Sequence, residues 1–152
     1  MAQGDIIAFD QFCVDVQEGL HDLETDTIKL VLETSTQTLA ATTADPRYGA
    51  GGTTNLTTNE VTPGGNYSAG GPSAANPTVT LSGGAGVFDA DDISISQDPS
   101  NPTGARNGVL YNDTDTGKRA ISYLDLGADT DLSNGDFSVT WNASGIHTLN
   151  QA

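Results

Sequence analysis

The sequence predicts a mainly β fold: a single-domain antiparallel β-sandwich or barrel with one N-terminal helix and a long Gly/Thr-rich loop or arm. Three observations carry that expectation. Short apolar runs alternate with polar residues, as at Ile28-Leu30-Leu32, Ile93-Ile95 and Phe137-Val139-Trp141, and a period of two turns one face of a strand toward a core. Gly, Asn, Asp and Pro interrupt these runs, with 18 glycines in 152 residues, a composition of many turns and not of a helical bundle. The length matches one domain of roughly 100 to 200 residues, enough to bury one core but not two.

Along the chain, residues 6–20 place Ile6, Phe9, Cys13, Val16 and Leu20 three or four apart, which is one face of a helix. Phe12, Val14 and Val16 alternate in the same stretch as a strand would, and Gly19 weakens the last helical turn. Thr27–Glu33 reads as a strand with Ile28, Leu30 and Leu32 on one face. From 34 to 75 Thr, Gly, Ala, Ser, Asn and Pro dominate, with turns marked at 49–52, 63–65 and 70–72. So long a stretch in a compact domain is usually functional or mobile; it is either an arm lying on a neighbouring subunit or a loop packed on its own domain. Residues 76–152 form the β-rich core. Thr78–Ser82 is a strand, Gly83-Gly84 a turn, and 87–96 a strand ending in Ile93 and Ile95. Pro99, Pro102 and Gly104 punctuate a loop. Val109–Tyr111 and Ala120–Leu126 flank the turn 113–117 as a hairpin. Asn134-Gly135 turns the chain into Phe137-Val139-Trp141, and Ile146–Leu149 closes the series.

Charge excludes several function classes. Twenty acidic residues face only five basic ones, Lys29, Arg47, Arg106, Lys118 and Arg119, for a formal charge of −15. Phosphate neutralisation by Lys and Arg supplies most non-specific nucleic-acid affinity, so direct nucleic-acid binding is not expected. Adhesion to an anionic membrane is disfavoured on the same ground. No run approaches the ~18 apolar residues of a membrane helix. Met1–Asp5 lacks the basic stretch of a signal peptide, which predicts a cytoplasmic product. The single Cys13 excludes an intrachain disulfide and reads as a small buried thiol.

A search for chemistry finds little. Asp89, Asp91 and Asp92 cluster, as do Asp129 and Asp131, but in so acidic a chain such pairs arise as surface turns, and no aromatic-rich cleft accompanies them. His21 and His147 are the only imidazoles, and no G-x-S-x-G, H-E-x-x-H or P-loop pattern occurs. Residues 113–117 begin like a calcium loop but lack the third ligand and the distal Glu; the run from Asp129 has its glycine one place late and Thr140 at position twelve. No catalytic residue, cofactor, small-molecule substrate or metal is predicted; an irregular calcium site at a subunit boundary is left open. The expectation is a protein that is not an enzyme.

Several segments together resemble a family of small tailed-bacteriophage virion structural proteins: Phe9–Phe12, Gly19–Leu23 and Asp26–Leu30 at the start, Asn66–Gly71 in the middle, then Val109–Thr114, Ile121–Gly127, Phe137–Trp141 and Gly145–Leu149. The order is kept over most of the chain, and Tyr111-Asn112-Asp113-Thr114 followed by an aromatic strand ending in glycine is its most specific part. Residues 97–107 depart from it. The resemblance implies a capsid decoration (cement) protein on the virion exterior, assembled in the host cytoplasm. Its implied partner is the major capsid protein, and its implied state a homotrimer. A tail or neck component is the nearest rival and a carbohydrate-binding β-sandwich module the next. Arg47, Tyr48 and Tyr67 are the candidate interface residues, because Arg and aromatics are enriched at binding hot spots; the alternative for each is packing within its own domain.

Overall fold

A computed structural model describes residues 5–150. The strands are β1 (Ile6–Ala8), β2 (Ile28–Thr34), β3 (Pro46–Arg47), β4 (Thr54–Asn55), β5 (Thr78–Ser82), β6 (Ala85–Asp89), β7 (Ile93–Ile95), β8 (Ala105–Asn112), β9 (Ala120–Thr130), β10 (Phe137–Val139) and β11 (His147–Asn150), with one helix, α1 (Asp10–Gln17). The fold is mainly β and sandwich-like, as the alternating runs predict.

Its centre is the antiparallel sheet β1-β9-β8-β2. One face carries Ile28, Leu30, Leu32, Leu110, Ile121 and Leu124, in one core with Phe12 of α1, Phe88, Ile93, Ile95, Phe137, Val139 and Ile146. The other face carries Val31, Val109, Tyr111 and Tyr123, covered by Phe9, Leu56, Leu39 and Tyr48. Both faces are therefore buried, which is why Leu30-Val31-Leu32 is an unbroken apolar run where a half-exposed strand would alternate. β7 pairs with β10, and β11-β6-β5 forms a separate three-stranded antiparallel sheet.

The segment 34–75 is packed on its own domain. It runs back along the outer edge of β2 and completes that strand's hydrogen bonding: Thr34 N–H to Asn59 O, Val61 N–H to Leu32 O, Leu30 N–H to Pro72 O and Ala74 N–H to Ile28 O, at 2.8–3.0 Å. Leu56, Val61 and Tyr67 are fully buried within it. An uncovered sheet edge is a template for unwanted pairing, and this strap removes one. The core is accordingly not confined to 76–152, since β1, β2 and the strap contribute to it.

The N-terminal helix is shorter than the 6–20 spacing suggests. Ile6–Ala8 pairs with Leu124–Ser122 as a strand, and α1 begins only at Asp10. It ends in a Schellman motif: Gly19, at φ +71°, donates to Val16 O at 3.1 Å and Leu20 N–H to Asp15 O at 2.9 Å, so Gly19 terminates the helix instead of weakening it. The buried face is Phe12 and Asp15, and Cys13 is exposed, not the buried thiol expected. The expected strand 87–96 breaks in two, because Ala90–Asp92 leaves the ladder between β6 and β7. In the loop after β7, buried Asn101 binds three segments: its Oδ1 accepts from Asn66 N–H at 2.7 Å, and its amide donates to Ser96 O and Leu132 O.

Candidate assembly surface

The three residues expected at an interface face inward or toward partners in their own chain. Tyr67 is 1% exposed; its hydroxyl accepts from Leu32 N–H and donates to Glu60, each at 3.0 Å. Tyr48 stacks on Tyr111 with ring centroids 4.7 Å apart and donates to Glu60 Oε2 at 2.8 Å. Arg47 forms a bidentate pair with Asp45, at 2.8 and 3.0 Å. Each follows the alternative of packing within its own domain.

The acidic clusters are likewise engaged. Asp91 accepts from the Asn76 amide and Asp92 from Trp141 N–H; Asp131 caps Ser133 and Asn134. In the β8–β9 turn Asp113 pairs with Lys29 and Lys118, and Asp115 with Arg119, so cations of this chain occupy the loop that begins like a calcium site. Among the described residues no group of three His, Cys, Asp or Glu is placed to hold a metal ion. Trp141 packs partly buried against the core and gives its indole N–H to Asp91 O at 3.0 Å, unlike the exposed platform a sugar-binding module presents.

What remains open is the β11-β6-β5 sheet. Between Glu60 and Asp89 the sequence holds no charged residue, and no charged side chain follows Asp136, so this sheet carries a single charged side chain, Asp89 at the end of β6, in a chain of −15. Gly83 and Gly84, at φ +57° and +85°, supply the left-handed pair that a tight two-residue hairpin requires. All five residues of β5 are exposed, and among the described residues its outer edge pairs with no strand. It carries none of the lysines, prolines or bulges that usually blunt an edge. Register aligns Val79, Phe88 and His147 in one cross-strand row and Leu81, Gly86 and Leu149 in the next, on the same face. In the first row Phe88 is buried while Val79 is 44% exposed. The second projects beyond it: Leu81 is 83% and Leu149 58% exposed, and a Cβ built on Gly86 would meet nothing within 4 Å.

That face forms one wall of a groove of about 430 Å³ whose other wall is α1 and the turn after it, with Phe12, Val16 and Leu23. Two imidazoles line it. Burial pushes His147 down to about 4. It also lowers His21, outweighing the opposite pull of Asp15, so both rings are neutral at pH 7. Asp22 and Glu24 are the lining residues that carry charge. The signal in the sequence was the charge-free run from 61 to 88, more telling here than the positions of Arg and Tyr. No family model, curated protein or solved structure matches the chain.

Proposed function

We propose that this chain is a non-enzymatic structural protein of a tailed-phage virion, a decoration (cement) protein that binds the major capsid protein from outside and stabilises the head through protein–protein contacts. The observation that carries the assembly reading is the bare β11-β6-β5 sheet, with an unpaired edge strand beside exposed Leu81 and Leu149. Open edges and apolar rows of this kind are where extended partner segments add to a sheet. The virion, and a homotrimer over a capsid junction, rest on the family resemblance; the charge of −15 favours a protein partner over nucleic acid.

The mechanism is interface energetics repeated by symmetry. A specific interface buries about 1,200 to 2,000 Å² in total, and a shell multiplies each modest contact many times. The test is binding of purified protein to undecorated heads of the parent particle, followed by cryo-EM and by mass determination of the free protein. Density on the shell, saturating with a fixed number of copies, is the expected result. Density at the tail or neck moves the protein to that role, and no binding to any part of the particle overturns the virion reading.

A further inference from the structure

We infer that the groove between α1 and the β11-β6-β5 sheet is a docking site for an apolar side chain carried on a lysine- or arginine-rich segment of a different protein, not for a second copy of this chain. The inference rests on the assembly reading above and names the chemistry of the partner.

The shape argues for an apolar anchor. Val79, Phe88, Phe12, Val16, Leu23 and Leu149 supply the walls, and Leu81 and Leu149 flank Gly86 as two posts over an empty floor. An inserted aliphatic or aromatic side chain would cover Leu149 and fill space that no described residue occupies. Burial of apolar surface in such a site supplies roughly 25 cal/mol per Å², and anchors in desolvated pockets dominate interface energies.

The electrostatics argue for a cationic carrier. The charged residues on the groove are both acidic, Asp22 and Glu24, and neither His21 nor His147 offsets them, since both imidazoles are held neutral by burial. A second copy has no unpaired basic side chain to offer this rim. All five of its basic side chains already sit in ion pairs within the chain: Lys29 and Lys118 with Asp113, Arg47 with Asp45, Arg106 with Asp125 and Arg119 with Asp115. Two copies meeting here would set acidic rim against a chain of −15, whereas a partner bearing free Lys or Arg beside its anchor is drawn in.

The test uses the full chain and three seven-residue peptides in which Val and Leu alternate with Lys, with Ser or with Asp, observed by NMR. The Lys peptide is expected to shift the amides of Leu23, Val79, Gly86 and Leu149, and to bind at least tenfold more weakly to Leu149→Asp. Glu24→Lys, an exposed position, should weaken it several-fold, and raised salt should do the same. Equal binding of the Asp peptide, shifts confined to another surface, or indifference to Leu149→Asp overturns the inference. So does a concentration-dependent shift of the same amides without peptide, which would make a second copy the occupant. Binding of wild type, Leu149→Asp and Glu24→Lys to undecorated heads separates the two readings. If wild type binds and the variants bind equally, the groove inference fails alone; if wild type does not bind, the capsid reading fails, and the peptide result judges the groove by itself.

Discussion

Glu33 is the residue with the largest mismatch between its chemistry and its place. It is 0% exposed in β2, and neither carboxylate oxygen has a hydrogen-bond partner among the described residues. Burial, helped by the nearby Glu60 carboxylate, pushes it up to about 8. Glu60, by contrast, receives Tyr48 OH, Tyr67 OH and Gly70 N–H at 2.7–3.0 Å, so two facing carboxyl-bearing residues, one on β2 and one on the strap, have opposite surroundings. A raised carboxyl binds its proton more tightly in the folded state, so stability is highest below the unfolded value near 4.5 and falls as pH rises toward 8. His147 acts in the other direction: its lowered value means stability falls as pH drops from 6.5 toward 4. His21 is lowered as well, and an unfolded imidazole is still half-protonated at pH 6.5, so both rings return some stability as pH rises above it; the Glu33 effect is therefore read as a difference between proteins. In urea unfolding between pH 6.5 and 8, wild type should lose about 1.5 kcal/mol relative to Glu33→Gln. The same pH dependence in both proteins would show that Glu33 already ionises freely in the fold.

Among the elements, the strap along β2 depends on one close approach. Gly71 has φ +76° and lies against the Leu30 carbonyl, which a Cβ at this position would overlap. The adjacent Pro72 carbonyl receives Leu30 N–H at 2.9 Å, so the glycine is what lets the strap close on the strand. Gly71→Ala should destabilise the protein by on the order of 3 kcal/mol, from backbone strain together with displaced strap contacts. Hydrogen exchange locates the effect: Leu30 and Ala74 amides should lose protection well before those of β8. Equal loss throughout would mean that strap and sheet open as one unit. Leucines 81 and 149 have the opposite status, since their exposure leaves the fold indifferent to them.

For the whole molecule, charge is the dominant long-range term. The five cations are each matched to a carboxylate nearby, and the remaining acidic residues leave a net −15 that repels itself at low ionic strength. Raising NaCl from about 10 to about 150 mM shortens the screening length from about 30 to about 8 Å. The melting temperature should rise across that range, while added salt weakens any attachment of cationic partners at the Asp22–Glu24 rim. A melting temperature that falls instead would show that the ion pairs around Asp113 and Asp115 outweigh the global repulsion.

The class of the fold and most strand positions were legible from the residues alone, because alternation and Gly, Asn and Pro turns are local: β5 falls on Thr78–Ser82 as expected, and the β8–β9 hairpin on its predicted turn. So was the charge asymmetry of 20 acidic against five basic residues. Helix length was less legible, since Ile6–Ala8 satisfies helical spacing yet gains more by pairing with β9. The course of residues 34–75 was set by long-range contacts with β2. Their Thr- and Gly-rich composition is equally suited to an arm or a strap, and the deciding hydrogen bonds, such as Ala74 to Ile28, join residues far apart in sequence. The same holds for the candidate surface. Tyr67 and Leu81 both lie in charge-free sequence, and one is enclosed because the strap packs along β2 while the other stands on a β5 face that no described residue covers.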